Sequence, residues 1–186
     1  MIGSLRGVVQ EVHPPFVLLE VAGVGYLVSV SIPTIATVSV GSEARFYIYD
    51  NVREDARDAY GFSTYDELQF FKKLISISGV GPKVALTILS AGSLRAIQDA
   101  ILSGNLSFLT SVPGVGMKTA QKIVLELKGK IVEESDSSSP DREVMDALVS
   151  LGYSASQARD AVSRAGASEE IDVSQRVRLA LKYLAK

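Results

Sequence analysis

The chain has 186 residues, 47% of them hydrophobic, with 19 Lys and Arg against 21 Asp and Glu; this composition builds packed cores in one to three small domains and excludes a disordered chain. It holds no Cys and a single His, His13, which excludes a disulfide framework, thiolate or His-cluster metal sites and a cysteine nucleophile, and no cofactor is expected. Met1-Ile2-Gly3-Ser4-Leu5-Arg6 lacks the basic-then-apolar opening of a signal peptide, so a cytoplasmic protein is expected.

The first segment reads as short strands, rich in β-branched and aromatic residues, over Ile2–Val12, Phe16–Val21, Gly25–Ile32, Ala44–Tyr49 and Ala59–Phe62. Pro14-Pro15 and Gly23-Val24-Gly25 supply turns, and Gly3 and Gly7 suggest bulges or tight curvature in the first strand. His13 beside the two prolines reads as a turn residue without a catalytic role. The uncharged run Val21–Ser42 approaches a membrane span in length, but glycines, serines and Pro33 interrupt it and Tyr26–Ile32 partly alternates, so it reads as sheet. Five strands with a curved first one predict a small barrel of the OB type.

A helical period begins at Ser63-Thr64-Tyr65-Asp66-Glu67, where Ser63/Asp66 or Thr64/Glu67 could form a capping box. Leu68, Phe71, Leu74 and Ile75 share one face; Gly92 and Gly104 look like helix stops, with Ser93 and Asn105 as the next N-caps. The acidic, serine-rich stretch Glu133–Pro140 reads as a flexible linker. Beyond it, Arg142–Leu151, Ser156–Ala165 and Ser174–Leu184 read as three short helices. The expected class is multidomain α+β: a barrel over 1–62, a helical domain over 63–131, a linker over 132–140 and a three-helix module over 141–186.

Charge is divided along the chain. Residues 71–130 carry eight basic side chains (Lys72, Lys73, Lys83, Arg95, Lys118, Lys122, Lys128 and Lys130) and two acidic ones (Asp99 and Glu126), a net +6. Residues 1–70 are net −5 and residues 131–186 net −3. A basic centre between acidic flanks draws an anionic polymer to the middle and repels it elsewhere.

The strongest signal is an internal repeat. Leu74-Ile75-Ser76-Ile77-Ser78-Gly79-Val80-Gly81-Pro82-Lys83-Val84-Ala85 returns 35 residues later as Leu109-Thr110-Ser111-Val112-Pro113-Gly114-Val115-Gly116-Met117-Lys118-Thr119-Ala120. A helix ending before Gly-Val-Gly and another starting after it leave a hairpin whose glycines permit positive φ and close backbone approach. Its N–H groups and those of the next helix's first turn then form an anion site reinforced by the helix dipole. Gly79, Val80, Gly81 and Lys83, with Gly114, Val115, Gly116 and Lys118, are the candidate phosphate-binding residues, and such contacts carry no base specificity. A single Gly-x-Gly would be an ordinary helix connection; duplication and the local charge decide against that.

Pro113–Thr119 resembles a nucleotide-binding P-loop only superficially, because aligning Lys118-Thr119 to that motif puts Met117 and Val112 where glycines are required. Three other readings of the residues stay open here. A helix-hairpin-helix glycosylase or nuclease needs a catalytic Asp, Lys or metal-binding carboxylate set near the hairpins, where only Asp99 and Glu126 are acidic. A single-strand binder would use the barrel, against its negative charge. A protein-binding adaptor would show no salt-sensitive DNA binding.

The opening Met1–Gly7 strand, Asn51-Val52-Arg53-Glu54-Asp55-Ala56 followed by Tyr60-Gly61-Phe62, the duplicated hairpins and Ala147–Tyr153 together resemble the RuvA family over the whole chain except the linker. The resemblance implies a non-catalytic subunit that holds a four-way (Holliday) junction open in recombination, repair and the DNA-damage (SOS) response. It implies a homotetramer, or two stacked as an octamer, a third domain that engages the RuvB ATPase ring for branch migration, and RuvC as the associated resolvase. It makes Glu54 and Asp55 an acidic pin that repels phosphates at the crossover, although by themselves these residues read as a solvated hairpin tip. In the third domain Leu148, Leu151, Tyr153 and Leu181 are the candidates for the RuvB-facing surface, with core packing as the competing reading.

Overall fold

The computed structural model describes residues 1–137, 140–165 and 173–184. It comprises two compact units, Met1–Lys128 and Gly129–Lys186. The first opens with five strands, β1 (Ser4–His13), β2 (Phe16–Val21), β3 (Val24–Val30), β4 (Glu43–Val52) and β5 (Arg57–Phe62), with a short helix α1 (Ile32–Ile35) between β3 and β4. They close into a barrel in the order β1-β2-β3-β5-β4, antiparallel except for the β3–β5 pair, which is the OB-type topology expected. Alternation places Val9, Val17, Leu19, Val28, Val30, Phe46 and Ile48 inward as the core.

The bulge in β1 falls between Val9 and Glu11, not at Gly3 or Gly7. Gly7 is needed for a different reason: a Cβ there would overlap the carbonyl oxygen of Glu20 on the paired strand, whereas one on Gly3 would meet nothing within 4 Å. The run Val21–Ser42 is the end of β2, then β3 and α1. Among the described residues no single helix is long and apolar enough to cross a membrane. The strand expected to reach Ile32 stops at Val30, because Ser31 caps α1 by accepting from the Thr34 N–H and Pro33 sits in its first turn.

Of the two possible capping boxes, Thr64/Glu67 forms: Thr64 Oγ1 accepts from the Glu67 N–H at 3.2 Å and Glu67 Oε2 accepts from Thr64 N–H at 3.3 Å. It starts α2 (Tyr65–Ile75), which buries Leu68, Phe70, Phe71 and Leu74. Phe71 lies among Tyr49, Tyr60 and Phe62 of the barrel at ring separations of 5.2, 5.5 and 4.8 Å. Burying one such ring stabilises by about 1.5–3 kcal/mol, so this cluster fixes the helical segment against β4 and β5. The segment continues through α3 (Pro82–Leu89), α4 (Leu94–Leu102), α5 (Leu106–Thr110) and α6 (Met117–Ser137). Ser93 and Asn105 cap α4 and α5 as expected.

The stretch read as a linker begins as helix, since α6 runs to Ser137; residues 138–139 lie outside the described residues. The glutamates at 133 and 134 favour helix as readily as they favour solvent, so an acidic composition alone does not end a helix already under way. The second unit holds α7 (Pro140–Ser150), α8 (Ala155–Ala165) and α9 (Val173–Leu184), the three short helices expected. Their core is Val144, Leu148, Ala158, Ala161, Val162 and Ala180.

Two stability consequences follow from local geometry. Asp50, whose side chain is only 1% exposed, accepts from Arg57 Nε and Nη2, both at 2.9 Å, and from the Ile2 N–H at 3.0 Å. The Arg57 hydrogen bond is the main cause holding its carboxyl below the usual range, against the opposing effect of burial. A depressed folded-state pKa means that this contribution is present above the unfolded carboxylate value and is lost as pH falls through the folded one. Melting temperature is therefore expected to drop below about pH 4, with Asp50→Asn flattening that acid limb; an unchanged limb would contradict it. The hairpin glycines differ in kind: Gly79 and Gly114 have φ of +93° and +88°, whereas Gly81 has φ −85°. Gly79→Ala or Gly114→Ala is expected to cost about 1–2 kcal/mol in denaturant unfolding, and Gly81→Ala on the order of 0.5 kcal/mol.

Candidate nucleic-acid interface

The 35-residue repeat is a structural repeat. In the hairpin between α2 and α3, Ile77 N–H donates to Leu74 O at 3.1 Å, Val80 N–H to Ile77 O at 3.0 Å and Ala85 N–H to Gly81 O at 2.9 Å. In the hairpin between α5 and α6, Val112 N–H donates to Leu109 O at 3.3 Å, Val115 N–H to Val112 O at 3.0 Å and Ala120 N–H to Gly116 O at 2.9 Å. Val80 and Val115 are buried, as are Ile77 and Val112, and Ala85 and Ala120 are fully enclosed. The apolar side chains thus anchor each turn from below, while the glycines on either side of each central valine stay exposed.

The second glycine of each hairpin is informative. Neither Gly81 nor Gly116 has positive φ, and a Cβ on either would meet nothing within 4 Å. Neither positive φ nor crowding inside the chain accounts for glycine there, and the missing Cβ leaves the approach to the next helix open from outside. The α3 start has no side-chain cap on its N-cap Gly81 and no acidic residue in its first turn; the first turn of α6 likewise has no acidic residue. The first-turn N–H groups, Lys83 and Val84 in α3 and Met117, Lys118 and Thr119 in α6, have no helical acceptor by the geometry of any helix start. Lys83 and Lys118 are exposed beside them. Each site thus combines free N–H donors, the positive end of a helix dipole and an ammonium group, which is the chemistry of an anion site. The two sites are neighbours: a Cβ on Gly114 would lie 3.3 Å from Val84 Cγ2, in the first turn of α3.

The β4–β5 connection carries the opposite charge. Arg53 N–H donates to Ala56 O at 2.8 Å and closes a tight turn with Glu54 and Asp55 at its tip. Its two arginines are already engaged, Arg53 with Asp58 at 2.7 Å and Arg57 with Asp50 at 2.9 Å. Glu54 and Asp55 are exposed and enter no ion pair among the described residues, so two carboxylates project from the tip without an ion-pair partner. Pairing within the hairpin, which composition does not reveal, separates this tip from an ordinary charge-balanced turn.

Asp99 and Glu126 are both exposed, and no group of three acidic or histidine side chains able to hold a metal occurs among the described residues. His13 is exposed and pairs with Glu11 at 2.8 Å.

In the second unit the four apolar candidates divide. Leu148 is 0% exposed at the centre of the three-helix core, which corrects the expectation that it faces a partner; it sits one turn after the buried Val144 on the inward stripe of α7. Tyr153 and Leu181 are half-buried against that core. Leu151 is 61% exposed, and Val149 and Tyr183, which are not among the four candidates, are 45% and 49% exposed. The helical spacing of Val144 and Leu148 was the signal that would have assigned Leu148 inward and Val149 outward.

Comparison with known proteins agrees with this architecture piece by piece. The RuvA N terminal domain matches residues 1–61, the SAM-like helix-hairpin-helix tandem residues 71–130, and the RuvA C-terminal domain residues 141–185. A protein of Chloroflexus aurantiacus named Holliday junction branch migration complex subunit RuvA is 42% identical over 191 residues, covering 98% of each chain. Proteins of the same name from Delftia acidovorans and Caldanaerobacter subterraneus are 38% and 39% identical, each over the full length of both chains. With that identity sustained from end to end, the chain belongs to the RuvA family.

Proposed function

We propose that this chain binds four-way junction DNA through its phosphate backbone, without reading sequence, and holds the junction open for branch migration. The observation that carries this is the pair of adjacent, equivalent hairpins, each with free first-turn N–H groups, an exposed lysine and a glycine whose missing Cβ serves nothing inside the chain. Gly79, Gly81 and Lys83 hold one phosphate and Gly114, Gly116 and Lys118 the other, while Val80 and Val115 shape the two turns, their side chains buried and their N–H groups already donated to Ile77 O and Val112 O. The unpaired carboxylates of Glu54 and Asp55 act as the acidic pin, disfavouring a continuous duplex across the basic surface and so favouring strands that turn away. The relatives are named as subunits of a Holliday junction branch migration complex, which supports the same role here.

The functional division is a barrel with the pin over 1–62, the hairpin domain over 63–131, a connection over 132–140 and a partner-binding domain over 141–186. The chain acts in the cytoplasm as a homotetramer, so that four pins meet at one crossover, and supplies binding and targeting, not catalysis. The exposed Leu151, with Val149 and Tyr183, is the surface for the RuvB ring; the RuvC resolvase acts on the same junction.

The test is competition between a four-way junction and a linear duplex of matched length, titrated from about 50 to about 200 mM salt, with mass determined in the same buffer. Preferential junction binding by a tetramer, weakening steeply with salt, is expected. Glu54→Gln with Asp55→Asn is expected to raise duplex affinity and so narrow the preference. Equal binding of both DNAs by the unaltered chain, or cleavage by the chain alone, would contradict the proposal.

A further inference from the structure

The arginine that precedes the acidic tip stands in a different place from its neighbours. A cleft of about 300 Å³ lies between the barrel and the first hairpin, lined by Asn51, Arg53 and Asp58 on one side and by Gly81, Lys83 and Val84 on the other. The barrel therefore presents a cation to the same space that the start of α3 faces.

The two arginines of the β4–β5 hairpin are not equivalent. Arg57 commits Nε and Nη2 to an Asp50 that is almost wholly enclosed, which locks it into the fold. Arg53 gives one nitrogen, Nη2, to Asp58 Oδ2 at 2.7 Å; the two side chains are about equally exposed, at 54% and 56%, so they differ in how many nitrogens are committed. A guanidinium carries five N–H donors in a planar fork suited to a phosphate, so Arg53 is oriented by Asp58 and still has donors to offer. Two cations, Arg53 and Lys83, and the α3 start line the cleft against one carboxylate, Asp58, that is already shared with Arg53 and Asn51.

We infer that Arg53 is a further DNA-backbone ligand: it and Lys83 clamp a phosphate in the cleft between barrel and first hairpin, with Asp58 as the positioning residue. This rests on the first hairpin being a phosphate site. The consequence is directional, because Arg53 is followed at once by Glu54 and Asp55. A strand held by the first hairpin is led to the last attractive group before the repulsive tip, which sets where it turns from the crossover into an arm.

The experiment uses the full chain and a four-way junction, with affinity measured across about 50–200 mM salt. Arg53→Gln is expected to lower affinity about three- to tenfold and to make the salt slope shallower by about one for each engaged subunit. Arg53→Lys is expected to keep the slope, since the charge remains, while losing part of the affinity because the fork is gone. With Lys83→Gln added, the double variant is expected to lose less than the product of the single losses, because both groups hold one phosphate. An unchanged slope in Arg53→Gln with a reduced slope in Lys83→Gln would overturn the role of Arg53 and leave the hairpin standing. No change in either slope would overturn the hairpin reading itself. Strictly multiplicative losses would overturn the shared cleft. Inorganic phosphate at matched ionic strength is expected to displace junction no better than chloride; stronger displacement would make the cleft a free-phosphate site instead of part of a strand path.

Discussion

The geometry of both proposed phosphate sites depends on two buried valines. Val80 and Val115 each sit at the apex of a hairpin with the side chain in the core, and each N–H is spent on the carbonyl three residues back. That anchoring turns the rest of the hairpin outward and brings the next helix in with its first-turn amides uncovered. The recognition chemistry is then backbone chemistry, with a dipole equivalent to roughly half a charge at each helix start. Such a site is rigid because the fold holds it, and it is indifferent to base identity because phosphates are alike.

Charge then decides what kind of DNA fits. A net +6 over residues 71–130 attracts backbone, while the barrel brings two unpaired carboxylates at Glu54 and Asp55 into the same unit. Attraction alone would favour any duplex. In the role proposed for Glu54 and Asp55, an acidic projection costs binding free energy at one place only and so selects DNA whose strands already diverge there. The aromatic cluster around Phe71 matters to this balance, since it fixes the helical segment that carries the hairpins against the strands that carry the tip.

Much of this was legible in the residues, and the exceptions have physical reasons. The hairpins were readable because the Gly-Val-Gly turn and its flanking residues recur at one 35-residue offset, and the barrel because its strands alternate. Its closure through a parallel β3–β5 pair was not, since pairing across 31 residues leaves no local trace. α1 hid inside an apolar run whose alternation masked the Ser31 cap. Gly7 announced a special backbone position, but whether by bulge or by crowding depends on the partner strand. Leu148 was left between core and partner surface because apolar character does not distinguish the two in a small domain; the structure puts it in the core. The role of Arg53 needed the cleft opposite it, formed by residues about 30 positions away.

The most direct measurement of the central claim is the response of isotope-labelled glycine amides to a four-way junction, followed by nuclear magnetic resonance. Gly81 and Gly116 are expected to shift together on titration and to return as salt is raised, while Gly41 and Gly152, outside the hairpins, stay in place. If junction binds and the Gly81 and Gly116 amides do not move, the hairpins are ordinary helix connections and the phosphate sites lie elsewhere.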